Sequence, residues 1–187
     1  MGVSPNEYRS LGRIFKKLPH VEKESFMRIL ALDLGTTTGW ASNYGEAAFY
    51  GKWDLKPSRH ESASMRWIRL RNSLSNLWED DKNPIEIVVY EEIAAHKGTA
   101  AAHIYGGLIA TLQLWCNRHQ IKYTGVPVGT IKKHATGKGN AGKQAMIDAA
   151  NKRFTFLQEP LGEKDHDIAD ALWLLDYAIQ EYGKDGK

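Results

Sequence analysis

Acidic side chains interrupt the most apolar segments of this chain, and this pattern restricts its fold more than any other feature. Residues 168–175 read IADALWLL, which would be apolar nearly all round a helix and is typical of a buried one. Asp167 and Asp170, three residues apart and so on one helix face, break this apolar surface. Asp165 or Asp167 would serve as a helix N-cap, but capping does not explain Asp170, a full turn further in. A buried carboxylate is costly unless it is paired or binds a cation.

Two segments with strand character carry acids as well. Asp33 follows four apolar residues in ILALDLG, and Glu91 ends IEIVVYE with Glu92 beside it. Taken singly, Asp33 also fits a turn residue before Gly35, and Glu91 a strand-end acid in contact with solvent. Together, acids from three separate elements would meet, and such like charges need a counter-charge. A divalent cation supplies it, and oxygen ligands favour Mg²⁺ or Mn²⁺.

Apolar periodicity predicts an α/β domain in the order β-β-β-α-β-α-β-α-α. We expect strands over residues 28–34, 38–44, 47–54, 85–90 and 122–128. We expect helices over residues 62–78, 99–119, 143–154 and 167–182. Residues 129–142 are expected to form a glycine-punctuated basic loop with at most one helical turn. Three antiparallel strands followed by parallel additions make a mixed five-stranded sheet with helices on both faces.

The length of 187 residues suits one domain, assigned to residues 28–187. Residues 1–27, which are polar and contain two prolines, are expected to be an N-terminal extension that is partly helical, around residues 8–18, or flexible. No apolar run approaches the roughly 20 residues that span a bilayer, and the first residues lack the apolar core of a secretion signal. A single cysteine, Cys116, excludes an internal disulfide, so a cytoplasmic setting is expected.

Positive charge is concentrated in one part of the chain. The formal net charge is only +3, but residues 122–153 contain seven lysines and arginines against one acid, Asp148. Such an excess suits a polyanion such as nucleic acid. A solvated lysine face is the alternative.

Four segments, in this order, resemble the RuvC-like Holliday junction resolvases, above all those encoded by bacteriophages: LDLGTTTGWA, VVYEE, TIKKHATGKGNAGKQAMI and DHDIADAL. The similarity runs from about residue 27 to about residue 182. It implies a ribonuclease-H-like fold and a homodimer that acts in a bacterial or phage-infected cell. It further implies an Mg²⁺- or Mn²⁺-dependent endonuclease, with two ions per active site, that resolves four-way and other branched DNA junctions. The family's products carry a 5′-phosphate and a 3′-hydroxyl.

The resemblance also implies roles for individual residues. The catalytic acids and metal ligands would be Asp33, Glu91, Asp167 and Asp170. Glu91 is preferred to Glu92 because alternation along a strand turns Glu92 to the other face. His166 is close enough in sequence to be a rival ligand.

Five residues of the basic segment would meet the DNA. Lys143 matches a family lysine in GNAGK and is expected near the scissile phosphate as a further catalytic residue. The flanking DNA backbone would be bound by Lys132, Lys133, His134 and Lys138, besides Lys143. Three glycines at positions 137, 139 and 142 would allow close approach to phosphates or would simply make the loop flexible. The helix over residues 99–119 would either face the dimer partner or pack on the sheet.

Three other functions compete with the nuclease. Sugar kinases and actin-type ATPases also start with a D-x-G-T-T turn that holds ATP phosphates, but they need a second lobe and are usually more than twice as long. RNA-processing nucleases of the same fold share the first motif. A non-catalytic junction-binding protein would have an incomplete set of acids, whereas here the set is complete.

Overall fold

Five strands form one mixed sheet in the order β3-β2-β1-β4-β5. The strands are β1 (Ile29–Asp33), β2 (Thr37–Tyr44), β3 (Ala47–Asp54), β4 (Ile87–Glu92) and β5 (Lys122–Pro127). The antiparallel pairs are β1–β2 and β2–β3, while β4 pairs parallel to β1 and β5 parallel to β4. The predicted mixed sheet is therefore confirmed. Of the two strands that carry acids, β1 is the central strand of the sheet and β4 is its neighbour.

The computed structural model describes residues 27–45, 47–78, 84–94 and 98–183. The predicted N-terminal extension, including its possible helix around residues 8–18, lies outside these ranges except for Met27. The helices are α1 (Met65–Trp78), α2 (Thr99–His119), α3 (Val128–Thr136), α4 (Lys143–Arg153) and α5 (His166–Tyr182). A short 3-10 helix, Glu163–Asp165, leads directly into α5.

The sheet is covered by helices on both faces because its strands alternate between two apolar surfaces. Ile29 and Ala31 point to one face, where they pack with residues of α3, α4 and α5. Leu30 and Leu32 point to the other face, where they pack with residues of α1 and α2. Strands buried on both faces are expected to be apolar throughout, as β1 is up to its last residue.

One part of the predicted architecture is wrong. Residues 128–136 form helix α3 instead of a basic loop. Ile131 is fully buried in the core, and Ala135 packs against the same cluster, so tertiary packing stabilises a short helix whose sequence alone does not predict it. Gly137, at φ +77°, ends the helix in the left-handed conformation that glycine adopts without strain.

None of the helices in the described part of the chain has both the length and the apolar character needed to cross a bilayer.

Candidate active site

The carboxyl ends of β1, β3, β4 and β5 all lie at one edge of the sheet, because β1, β4 and β5 are parallel and β3 is antiparallel to β2. Asp33 is the last residue of β1 and is the one residue of that strand that is not fully buried. It follows Ile29 and Ala31 on the face covered by α5, since alternate residues of a strand share a face.

Glu91 lies on this same face and edge. It follows Ile87 and Val89, whose side chains belong to the cluster under α5. Glu92 follows Val88 and Tyr90 on the opposite face. The backbone of Glu91 is held by Tyr105 of α2, whose hydroxyl donates to the Glu91 carbonyl oxygen at 2.7 Å and accepts from the Ile93 N–H at 3.3 Å.

Asp167 and Asp170 approach from above the sheet, on the first and second turns of α5. The helix crosses β2 at Gly39, where a Cβ atom would lie 1.9 Å from the Asp167 carbonyl oxygen. Gly39 is also paired with Asp33 in the β1–β2 ladder. Only a glycine permits this contact, and the contact brings the start of α5 over the end of β1.

A second connection fixes the start of α5 from the other side of β2. Lys52 of β3, which pairs with Gly39, reaches across to the turn before α5. Its Nζ donates to the Lys164 carbonyl oxygen and to Asp165 Oδ1, both at 3.1 Å. Asp165 Oδ2 in turn accepts from the Gly162 N–H at 3.1 Å, so Asp165 stabilises the 3-10 turn.

The electrostatics show that the four acids share one environment. Burial raises the pKa of Asp33 well above its usual value, and the charges of Glu91, Asp170 and Asp167 raise it further. Burial also raises the pKa of Asp170 to about 7, with Glu91 and Asp167 adding to the shift. The pKa of Glu91 is raised by burial as well, although its hydrogen bond with Asp33 and the charge of Lys132 oppose the shift. Like charges brought together out of water hold protons in this way.

Two lysines compensate part of this negative charge. Lys132 of α3 lowers the pKa of both Glu91 and Asp170, and Lys143 lowers that of Asp170. The sequence pattern assigned Lys132 to the flanking DNA backbone; in the structure its charge also acts on the acids. Lys143, the first residue of α4, is exposed beside them. Its helix is joined to α5 by Trp173, whose Nε1 donates to the Met146 carbonyl oxygen at 3.2 Å.

His134 lies apart from the lysines with which the sequence grouped it. Its Nε2 lies 2.8 Å from Asp176 Oδ2, and its ring packs edge-on against Trp173 and Tyr177 of α5. Arg153 donates to the other oxygen of Asp176 at 3.1 Å. These contacts tie α3 and α4 to α5, so the structure gives His134 a packing role in place of an open surface for DNA.

The remaining predicted residues lie in different surroundings. Lys133 and Lys138 are exposed and free to meet a polyanion. Gly139 lies against Gly129, where a Cβ atom would be 3.2 Å from the Gly129 carbonyl oxygen. Gly142 precedes α4 in an extended conformation with open space around it. His166 Nδ1 lies 2.5 Å from Asp167 Oδ1, so this ring contacts the acid group directly.

The acid cluster is a set of hard oxygen donors. Among the described residues, no three His, Cys, Asp or Glu side chains already surround a common metal position. Instead, the Asp33 carboxyl is hydrogen-bonded to Glu91. Carboxylate ligands bind metal in the deprotonated form, so a divalent cation would displace the protons that the raised pKa values of Asp33 and Asp170 favour. Three acids with raised pKa values, and Asp167 beside them, fit Mg²⁺ or Mn²⁺ by charge and by ligand type.

Solved structures with the same fold include RuvC. The structure of RuvC from T. thermophilus in complex with a Holliday junction substrate has a TM-score of 0.65 at 20% identity, over 80% of this chain and 90% of that one. Another structure of Thermus thermophilus RuvC has a TM-score of 0.64 at 18% identity, over 84% and 98% of the two chains. The yeast mitochondrial Holliday junction resolvase Ydc2 has a TM-score of 0.50 at 12% identity, over 82% and 79%. The sequence matches no protein-family model and no curated protein.

Proposed function

From the RuvC-type, ribonuclease-H-like fold of this chain, we propose that it is a structure-selective endonuclease that resolves four-way and other branched DNA junctions by divalent-metal-dependent hydrolysis. One observation carries the proposal. Asp33, Glu91, Asp167 and Asp170, from three separate elements, interact at one edge of the sheet, where burial and then their mutual charges raise the pKa of Asp33 and of Asp170. Structural ion pairs do not explain four acids with so few cations between them.

The acids are the proposed metal ligands. Asp33, Glu91, Asp167 and Asp170 together would hold the metal ions. When bound, two Mg²⁺ or Mn²⁺ ions activate a water molecule and stabilise the leaving oxygen of a phosphodiester. His166, in contact with Asp167, is the alternative ligand.

The lysines have two proposed roles. Lys143 and Lys132 lie in the electrostatic range of the acids and would attract the scissile phosphate to them, because a cation near a phosphate neutralises its charge. Lys133 and Lys138 are exposed and would bind flanking phosphates. His134 is left out of this set because Asp176 already binds it.

A two-fold homodimer is the proposed working unit, because a dimer holds two cutting sites at a fixed spacing. Helix α2 supports this proposal. Leu108, Leu112 and Trp115 pack on the sheet, so one face of the helix is taken. The other face carries Leu114, which is 71% exposed and suits a partner helix better than water. We place the dimer in the cytoplasm of a bacterial or phage-infected cell, with branched DNA as its substrate.

The test is a cleavage assay with purified protein on a four-way junction and on a linear duplex of the same sequence, with and without Mg²⁺. We expect Mg²⁺-dependent cutting of the junction, with 5′-phosphate and 3′-hydroxyl ends, and much weaker cutting of the duplex. A structured RNA in the same assay tests the RNA-processing alternative, and a thermal-shift measurement with ATP tests the kinase alternative. Binding of the junction without cutting in Mg²⁺ or Mn²⁺ would show a non-catalytic binding protein instead.

A further inference from the structure

The loop between β3 and α1, residues 55–64, carries a second group of basic side chains. Lys56, Arg59 and His60 are exposed. Within the described ranges, neither Lys56 nor Arg59 has an ion-pair partner. They follow β3, whereas the basic residues of α3 and α4 follow β5, so the loop is a second basic segment. We refer to it as the β3–α1 loop.

The loop leaves the sheet at the edge where the acids lie. Asp54, the last residue of β3, is paired with Thr37, just after the turn that follows Asp33. The next residue continues this contact, since the Leu55 N–H donates to the Thr36 carbonyl oxygen at 2.9 Å. Because β3 is two strands from β1, the loop starts about 10 Å to the side of Asp33.

A set of hydrogen bonds from α1 holds the loop in place. The Arg69 guanidinium donates to both carboxylate oxygens of Glu61, at 3.0 and 2.7 Å, and also to the Lys56 carbonyl oxygen. Glu61 Oε2 accepts from the Ser58 N–H at 2.6 Å. Hydrogen bonding to Ser58 and the charge of Arg69 lower the pKa of Glu61, so Glu61 is ionised and forms an ion pair with Arg69. Arg69 and Glu61 satisfy each other, which leaves Lys56 and Arg59 as the free charges of the loop.

The two basic segments lie on either side of the acid-bearing strands: β5 is next to β4, and β3 is two strands from β1. β3 and β5 are the two edge strands of the sheet, and each ends beside a basic segment: the β3–α1 loop on one side and α3 with α4 on the other. Four strand spacings separate the edges, or about 19 Å. This distance corresponds to about five to six base pairs of B-DNA, at about 3.4 Å per pair.

We propose that the β3–α1 loop binds DNA phosphates through Lys56 and Arg59, on the side of the acids opposite Lys133 and Lys138. This inference rests on the proposed nuclease function. DNA would then cross the acid cluster while held on both sides, which keeps a phosphate over the acids. Phosphate contacts position a nucleic acid without reading its sequence.

The experiment compares junction binding by the wild-type protein, Lys56→Ala/Arg59→Ala and Lys122→Ala, in EDTA and over a range of KCl concentrations. Alanine at position 56 preserves the hydrogen bond from Arg69, because Lys56 accepts it through its backbone oxygen. Lys122 is the matched control. It is exposed, but it is the first residue of β5 and pairs with the first residue of β4, so it lies at the opposite end of the strands from the acids. Two lost phosphate contacts should lower affinity at physiological salt by about tenfold or more and reduce the salt slope by about two.

Each outcome decides one question. Unchanged affinity and slope in the double variant, with a wild-type protein that binds the junction, would overturn the role of the loop and leave the nuclease proposal intact. A wild-type protein that does not bind the junction would overturn the proposed function itself. An equal loss in Lys122→Ala would show that overall charge, and not the loop, governs affinity. Coincident thermal unfolding of the three proteins confirms that folding is not the cause.

Discussion

Gly39 lies so close to Asp167 that a Cβ atom at position 39 would be 1.9 Å from the Asp167 carbonyl oxygen and 2.3 Å from its carbonyl carbon. Gly39 is at the same time the partner of Asp33 in the β1–β2 ladder. The one missing side chain therefore sets the separation between two acids that are 134 positions apart in the chain. Backbone atoms cannot move aside as a flexible side chain does, so a larger residue must displace α5.

We predict that Gly39→Ala inactivates the protein by moving α5 away from β1. A displacement of about 1 Å at a catalytic group reduces rates by roughly a hundredfold. The same strain should lower the free energy of unfolding by about 1–3 kcal/mol. Cleavage at saturating junction and urea unfolding measure the two effects.

Gly106→Ala is the control for this substitution. Gly106 lies in the middle of α2, where an added Cβ atom would meet no atom of the described residues within 4 Å, and alanine favours a helix by about 1 kcal/mol over glycine. The control should unfold at higher urea concentration than the wild-type protein. If Gly39→Ala behaves like this control, the contact with Asp167 does not constrain the site.

Metal-free protein should lose stability through Asp170 as the pH rises. Unfolded Asp170 titrates near its ordinary value of 3.8, but in the folded protein its pKa is about 7. The folded state holds that proton more tightly, so its contribution to stability is complete below 3.8 and is lost as the pH rises through about 7. Asp170→Asn removes the loss and should stabilise the protein at about pH 8 by about 1–3 kcal/mol, with little effect at about pH 4.

Urea unfolding in EDTA at the two pH values measures this difference. Asp148→Asn serves as the control, because Asp148 is exposed on α4 and bonds only to Gln144 of the same helix among the described residues. A stabilisation of Asp170→Asn that is the same at both pH values would exclude the raised pKa as its cause. Added Mg²⁺ should stabilise the wild-type protein at the higher pH and release protons, because the cation replaces them.

Lys132 and Lys143 should shift the pH dependence of cleavage, each to a different extent. Lys132 lowers the pKa of Glu91 and Asp170, whereas Lys143 acts on Asp170 alone and more weakly. Removing either charge raises those pKa values, so the acid limb of the pH–rate profile should move to higher pH, and further for Lys132→Ala than for Lys143→Ala. Lys143→Ala should also reduce the cleavage rate more than the affinity.

Lys133→Ala is the matched control, since Lys133 is the exposed neighbour of Lys132 on α3. It should weaken binding without moving the acid limb. A profile that stays in place in Lys132→Ala would mean that this lysine does not act on the acids. A Lys143→Ala protein that loses affinity but keeps its rate at saturation would assign Lys143 to binding alone.

Local sequence patterns predicted the parts of the fold that depend on short-range chemistry. The bounds of β3 and α2 agree with the prediction, because long apolar periodicity identifies such elements. The alternation of side chains along β4 also predicted correctly that Glu91 and Glu92 lie on opposite faces of the sheet. The position of Asp170 inside an apolar helix was enough to indicate convergence with the strand acids, since a buried charge needs a partner.

The remaining features depend on contacts between distant segments. Helix α3 forms because Ile131 enters the core, and its largely polar sequence does not show this. The effect of Lys132 on the acids follows from the position of that helix. Gly39 is indistinguishable from an ordinary strand glycine until α5 is placed over it, and the connection from Lys52 to Asp165 joins residues 113 positions apart.

Cleavage of a four-way junction by Asp170→Asn, compared with the wild-type protein and Asp148→Asn, tests the role of the acids most directly. Single-turnover rates in Mg²⁺ and junction affinity in EDTA are measured on the same preparations. We predict that Asp170→Asn binds the junction as tightly as the wild-type protein or more tightly, yet cuts it slower by a factor of about a thousand or more. Wild-type rates of Mg²⁺-dependent cutting by Asp170→Asn would contradict the assignment of these acids as the catalytic centre.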